Sequence, residues 1–133
     1  MPEKKRILIV DDEVVIADSL AKVFSREGYE SKGVYTPEEA VEVVSEWTPH
    51  LAIIDVKLKG TNGVGFAIML REKFPNCEVA LFTGLTDLSD LLGIARDAGH
   101  SFEVITKPIS PKEILDFVSL KLSNLGDGEF SLA

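Results

Sequence analysis

Short apolar segments alternate with longer amphipathic segments along the chain. Three continuous apolar runs, at 7–10, 51–54 and 79–82, are typical of strands that are covered on both faces of a sheet. Two further strands are predicted at 30–35 and 103–106, and the more polar composition of 30–35 favours an edge position. The pattern therefore predicts five strands.

Apolar residues at helical spacing predict one helix after each strand. The predicted helices span 13–27, 37–47, 64–74, 87–98 and 111–122. Two of them begin with a hydroxyl cap followed by proline, at Thr36-Pro37 and Ser110-Pro111. Five strands alternating with five helices predict an α/β fold, a doubly wound, five-stranded parallel sheet with helices on both faces.

Polar side chains follow four of the predicted strands. Asp11 and Asp12 follow the first strand, Asp55 the third, Thr83 the fourth and Lys107 the fifth. Ligands of such sheets bind beyond the carboxyl ends of the strands, so these side chains are expected to converge on one crevice. Neighbouring carboxylates repel one another and call for a cation, and oxygen ligands without histidine or cysteine favour Mg²⁺. A cation flanked by a hydroxyl and an ammonium is a suitable site for a phosphoryl group.

Length, charge and composition limit the classes of function that the chain can have. The 133 residues leave room for one domain, predicted at 1–124 with a short tail at 125–133. The net charge of −8 disfavours direct nucleic-acid binding. The apolar runs are too short for a membrane span or a signal peptide, and the single cysteine suits a reducing cytoplasm, so a cytoplasmic location is expected.

The two histidines and the cysteine are not expected to take part in the chemistry. His50 precedes the third strand, at the opposite edge of the sheet, and His100 follows a helix stop, so both are predicted to be ordinary surface residues. Cys77 precedes the fourth strand, also far from the crevice and without a catalytic partner.

Five short motifs in order resemble the receiver domain of two-component response regulators. They are Ile7-Leu8-Ile9-Val10-Asp11-Asp12-Glu13, Pro49-His50-Leu51-Ala52-Ile53-Ile54-Asp55, Gly60-x-Asn62-Gly63, Thr83-Gly84 and Thr106-Lys107-Pro108. The resemblance covers about residues 6–122. Among receiver domains, the chain resembles the single-domain chemotaxis regulators. It implies a flavodoxin-like sheet with strand order 2-1-3-4-5.

The resemblance implies a role for each residue of the crevice. Asp55 is the expected phosphoacceptor, which takes a phosphoryl group from a histidine kinase. Asp12 is expected to bind Mg²⁺ directly and Asp11 largely through water, and the Asp55 carboxylate and the backbone carbonyl of Lys57 complete the ligands. Lys107 and Thr83 are expected to hold phosphoryl oxygens. The Lys107-Pro108 bond is expected to be cis.

Such a domain is a phosphoacceptor, not an enzyme acting on separate substrates; it catalyses its own phosphotransfer and a slow autodephosphorylation. Lys57 and Leu85 are expected to hinder the attacking water. The partners implied are a histidine kinase or phosphotransfer protein, met through the first helix and the loop after the fifth strand, and a downstream protein or effector domain. A weak homodimer through the last strand and its flanking helices is also implied.

The chain departs from the family pattern three residues before Lys107. Val104 stands where relatives usually carry an aromatic residue. It is stiff and short, so it can fill the inner space beside the sheet but cannot swing outward to report the change. Phosphorylation is therefore expected to be sensed through residues 83–87 and the start of the fourth helix. The rival expectation is that Phe102, on the same face, is the moving ring.

Three other functions are less favoured by the sequence. A receiver-like interaction domain that takes no phosphate is the main alternative. A phosphohydrolase with an aspartyl nucleophile generally needs a second acid two residues later, where this chain has Lys57. Dinucleotide binding is excluded because the first strand is followed by Asp-Asp-Glu instead of a glycine-rich turn.

Overall fold

A five-stranded parallel sheet forms the middle layer of the computed structural model, which describes residues 4–58, 61–84 and 89–126. In chain order the strands are β1 (Arg6–Val10), β2 (Glu30–Val34), β3 (Leu51–Asp55), β4 (Glu78–Thr83) and β5 (Glu103–Thr106). Their spatial order is β2-β1-β3-β4-β5, and every neighbouring pair is parallel. The predicted edge position of β2 and the flavodoxin-like order are confirmed.

Five helices cover the two faces of the sheet. They are α1 (Val14–Arg26), α2 (Pro37–Glu46), α3 (Gly63–Lys73), α4 (Ser89–Asp97) and α5 (Pro111–Gly126). Ile7 and Ile9 of β1 pack with α1 and α5, while Leu8 and Val10 pack with α2, α3 and α4. Alternate residues of one buried strand thus serve two cores, which confirms the doubly wound α/β class.

Capping bonds start two helices where the sequence predicts them. Thr36 Oγ1 accepts the Glu39 N–H at 3.1 Å, and Ser110 Oγ accepts the Glu113 N–H at 3.1 Å. Each glutamate also accepts a backbone N–H at or next to the cap, as a capping box requires. Helix α5 extends to Gly126, two residues past the predicted domain boundary. The predicted start of the fourth helix at Asp87 lies outside the described residues.

A short antiparallel ladder was not predicted. Lys57–Leu58 pairs with Thr61–Asn62 between β3 and α3, where the sequence indicated only a loop around Gly60. Two residues a side are too few to show an alternating pattern, so tertiary pairing alone reveals this ladder. None of the described helices is long and apolar enough to cross a membrane.

His50 is a structural residue, and its prediction as an ordinary surface residue was wrong. The side chain is half-buried, and its Nδ1 accepts the Arg6 N–H at 2.9 Å. Its backbone joins Arg6 of β1 and Glu78 of β4 through two further hydrogen bonds of 2.9 Å. Cys77 lies at the same end and is buried, and this burial raises the pKa of its thiol to about 12.

Candidate functional site

The carboxyl ends of β1, β3, β4 and β5 surround a cavity of about 450 Å³. It is lined by Asp12, Glu13, Asp55, Lys57, Leu58, Thr83, Gly84 and Lys107. All the residues predicted for the crevice line this cavity except Asp11, whose side chain is fully buried and touches Lys107. The parallel sheet therefore brings together residues that lie up to 96 positions apart in the chain.

Three carboxylates form a cluster that can hold a metal ion. One oxygen each from Asp11, Asp12 and Asp55 lies within 4.8 Å of the others. Asp11 and Asp55 are buried, and Asp12 is half-buried. An all-oxygen donor set without histidine or cysteine fits a hard cation such as Mg²⁺.

The Lys107 ammonium is the positive centre of the site. Its Nζ lies 3.0 Å from Asp11 Oδ2, 3.4 Å from Asp55 Oδ2 and 3.8 Å from Glu13 Oε1. Burial lowers the pKa of Lys107, but the Asp11 hydrogen bond and the charges of Asp11 and Asp55 outweigh it, so the pKa lies above its usual value. Lys107 is therefore charged at neutral pH. The Lys107-Pro108 peptide bond is cis, as predicted.

Asp55 has the most perturbed carboxyl group of the site. Burial and the neighbouring charge of Asp11 raise its pKa to about 6, although the Lys57 N–H, which donates to Asp55 Oδ1 at 3.1 Å, opposes the shift. Asp55 is therefore mostly ionised at pH 7 but retains a higher proton affinity than an exposed aspartate. A buried, ionised carboxylate at an open cavity is a good nucleophile for phosphorus.

A glycine fixes the backbone that carries Asp55. The Gly63 N–H donates to the Val56 carbonyl at 2.8 Å. A Cβ at Gly63 would overlap the Asp55 carbonyl oxygen and lie 2.9 Å from Val56 Cα. Asn62 caps α3 directly before it, through Oδ1 and the Val64 N–H at 2.8 Å. The Asn62-Gly63 pair thus starts α3 against the end of β3.

Comparison with known proteins identifies the family. The family model "Response regulator receiver domain" matches residues 7–119. This chain belongs to that family. The receiver domain is 31% identical over 93% of its length to the DNA-binding response regulator MtrA of Mycolicibacterium paratuberculosis, of which it covers 54%. It thus spans about half the length of this curated relative.

Solved structures agree with the family. A CheY-like receiver domain protein from Methanospirillum hungatei superposes with a TM-score of 0.85 at 28% identity, over 95% of this chain and 99% of that one. A BeF3-activated DrrB receiver domain has a TM-score of 0.77 at 26% identity, over 91% of this chain and 99% of that one. This receiver domain is therefore part of the two-component signalling family.

Three cavity residues were missed as candidates by the sequence interpretation. Glu13 and Gly84 entered only as parts of motifs, and Leu58 was not considered. For Glu13 the available signal was its place directly after Asp11 and Asp12, at the carboxyl end of the first predicted strand. Leu58 offered no signal, because its place depends on the unpredicted ladder.

Val104 does not fill the inner space, so that expectation was wrong. Its side chain is 37% exposed. Phe102 is half-buried instead, with the Arg71 guanidinium 4.6 Å from its ring centre and the His100 ring stacked on it at 6.1 Å. His100 also contacts Glu72 at 3.3 Å, and its side chain is only 14% exposed, which corrects the prediction of a surface residue.

The first prediction concerns pH in metal-free buffer. In the folded domain the pKa of Asp55 is about 6, whereas in the unfolded chain it is about 3.9. The folded state therefore binds more protons in this window, and the Asp55 contribution to the free energy of unfolding falls as pH rises through it. We expect Asp55→Asn to remove this pH dependence of the free energy of unfolding and to raise the urea midpoint at pH 7.5, since Asp11 keeps the closer contact with Lys107.

Asp97→Asn, in an exposed part of α4, is the control for this prediction. An unchanged midpoint for Asp55→Asn would contradict the prediction.

The second prediction concerns Gly63. Gly63→Ala must displace the Asp55–Val56 backbone, so we expect the free energy of unfolding to fall by about 1–3 kcal/mol in chemical denaturation. Gly65→Ala is the matched control two residues along α3, where a Cβ meets nothing within 4 Å and alanine favours the helix. Equal effects of the two substitutions would show that close approach is not the constraint.

Proposed function

We propose that this receiver domain takes a phosphoryl group from a histidine kinase or a phosphotransfer protein onto Asp55. The new charge then changes binding to a downstream partner protein or to an effector domain. The observation that carries the proposal is the buried Asp55 carboxylate, with a raised pKa, at a cavity shared with two more acids and an ammonium.

In the proposed transfer an oxygen of ionised Asp55 forms a bond to phosphorus as the phosphorus–nitrogen bond of the phosphohistidine breaks. The electron pair of the broken bond leaves with the imidazole. Asp12, Asp11 through water, the Asp55 carboxylate and the Lys57 carbonyl would hold Mg²⁺, which when bound supplies positive charge beside the transferred oxygens. The close all-oxygen cluster supports this ligand set.

Lys107 and Thr83 would hold the transferred group. Lys107 lies 3.4 Å from Asp55 Oδ2, so its ammonium can move to a phosphoryl oxygen with little displacement. Thr83 is buried at the end of β4 and lines the same cavity. A fixed positive charge and a hydroxyl stabilise charge on the transferred oxygens without rearranging at the moment of reaction.

The domain would act on no separate substrate, and it would lose its phosphoryl group slowly by itself. Lys57 is exposed at the cavity, two residues after Asp55, where its long side chain can hinder an attacking water. Leu85, the other residue predicted to hinder water, lies outside the described residues.

An apolar groove beside the site supports docking of the phosphodonor protein. It has a volume of about 270 Å³ and is lined by Val15, Ile16, Ser19, Leu20, Phe82, Lys107, Pro108 and Ile109. These residues come mainly from α1 and the loop after β5, and Lys107 belongs to both groove and site. A protein seated there would present its phosphohistidine to Asp55.

Downstream contacts complete the proposal. Ile94, Val104 and Leu120 expose apolar side chains on α4, β5 and α5, which supports a weak homodimer through this face. The relative MtrA is described as DNA-binding, and the match covers 54% of its length, which supports an effector domain as one output. The net charge of −8 supports the absence of direct nucleic-acid contact by this domain. A cytoplasmic location is part of the proposal.

The test of the proposed function is intact mass after incubation with acetyl phosphate and Mg²⁺. We expect the parent to gain one phosphoryl group and Asp55→Asn to gain none, because the nucleophile is lost. Asp12→Ala should weaken Mg²⁺ binding in calorimetry, and Asp97→Asn should behave as the parent. Equal mass gain by Asp55→Asn would show that the nucleophile is misassigned. A parent that gains no mass, yet binds a partner, would favour the interaction domain without phosphorylation.

A further prediction concerns the elements through which phosphorylation of Asp55 would be sensed. Phe102 is held by Arg71, His100 and the core beside it, so we expect the signal to pass through Gly84 and α4 and not through rotation of this ring. Hydrogen exchange with and without beryllofluoride and Mg²⁺ should show changes in protection at Gly84 and in α4. Changes centred on Phe102 and Val104 instead, with Phe102→Ala losing partner binding but keeping phosphorylation, would establish the ring as the switch.

A further inference from the structure

Glu13 occupies the N-cap of α1 but does not cap the helix. Its backbone is extended, with φ −83° and ψ 100°, and its side chain makes no capping hydrogen bond. The side chain of Asp11 makes the hydrogen bond at this point instead: the Glu13 N–H donates to Asp11 Oδ1 at 2.9 Å. Ser, Thr, Asp and Asn are favoured at this position because their short side chains reach the first N–H groups. Helix formation therefore does not explain a glutamate here.

The Glu13 carboxylate faces the cavity instead. Its Oε1 lies 3.8 Å from Lys107 Nζ. Of the three carboxylates around this ammonium, those of Asp11 and Asp55 are buried, whereas the Glu13 side chain is 64% exposed. Glu13 also lies outside the close group of Asp11, Asp12 and Asp55, so the metal cluster does not need it. It contributes negative charge on the cavity side of Lys107.

We propose that Glu13 is a positioning residue that holds Lys107 before phosphorylation and competes with the phosphoryl group for its ammonium. The inference rests on the proposed function of Asp55 and names the regulation of that same site. An incoming phosphoryl anion must displace the Glu13 contact and also meets the negative charge of Glu13. Glu13 therefore lowers the affinity of the site for phosphoryl anions.

The expected size of the effect follows from the exposure of Glu13, whose side chain is 64% exposed, whereas that of Lys107 is 17% exposed. Ion pairs with a solvent-exposed partner contribute about 0.2–1 kcal/mol, and removing one competitor of this strength should tighten anion binding about 1.4- to fivefold. Since the Glu13 carboxylate faces solvent, salt should screen the competition, and the difference between parent and variant should shrink at about 0.5 M ionic strength. A purely structural effect on α1 would not depend on salt in this way.

Three substitutions separate charge from helix capping. Glu13→Gln keeps the length and removes the charge. Glu13→Ser removes the charge and adds a good cap, so it should raise the melting temperature. Glu13→Asp keeps the charge on a shorter side chain. Glu38→Gln is the matched control, because Glu38 is exposed in the first turn of α2 and its substitution changes net charge equally.

The measurement is calorimetric binding of beryllofluoride, a phosphoryl mimic, at saturating Mg²⁺ and at two salt concentrations. We expect Glu13→Gln and Glu13→Ser to bind about 1.4- to fivefold more tightly at low salt despite different melting temperatures. Glu13→Asp should lie between them and the parent, and Glu38→Gln should match the parent. Binding that follows the melting temperature instead of the charge would overturn the inference.

The outcomes also separate this inference from the proposed function. If the parent binds beryllofluoride and gains mass from acetyl phosphate, but Glu13→Gln binds no more tightly than Glu38→Gln, the inference alone is wrong. If the parent neither binds beryllofluoride nor gains mass, the proposed function fails and the inference fails with it.

Discussion

The ammonium of Lys107 allows two buried carboxylates to share one end of the sheet. Asp11 is fully buried and Asp55 nearly so, and each lies within 3.4 Å of Lys107 Nζ. Without a positive charge, the repulsion between these acids and the cost of their burial would favour protonation or an open site. The raised pKa of Asp55 shows that Lys107 offsets only part of this cost. The remaining imbalance is what a divalent cation would correct.

This electrostatic arrangement depends on a rigid support. Asp11 follows β1, Asp55 ends β3 and Lys107 follows β5, so the charges meet only when the parallel strands are in register. The contact of Gly63 with the Asp55–Val56 backbone adds a second constraint, because α3 must begin directly against the end of β3. The site is therefore positioned by the sheet and by one helix start, with little freedom left to the Asp55 carboxylate.

Away from the site, Val104 and Phe102, which were expected to share a face, differ in burial. Val104 is exposed, while Phe102 is half-buried and contacts Arg71, His100 and the core. Arg71 also donates from Nη1 to the Ser101 carbonyl at 2.6 Å, so α3 is tied to the segment before β5. These contacts of the Phe102 ring support the proposal that the signal passes through α4.

The sequence alone determined the α/β class, the five strands and the set of polar residues at their carboxyl ends. Local signals were sufficient there, because continuous apolar runs, capping residues and polar strand ends are written in consecutive positions. The cluster of Asp11, Asp12 and Asp55 around one cavity was predictable for the same reason, once parallel strands were assumed.

Only the tertiary structure decided contacts between distant segments. His50 accepts a hydrogen bond from Arg6, 44 residues away, and His100 stacks on Phe102 beside Glu72 of another helix. The exposure of Val104 and the contact between Glu13 and Lys107 were likewise not visible in the chain. Burial and pairing at these positions depend on which elements pack together, and a one-dimensional pattern records a residue's neighbours along the chain but not those across the fold.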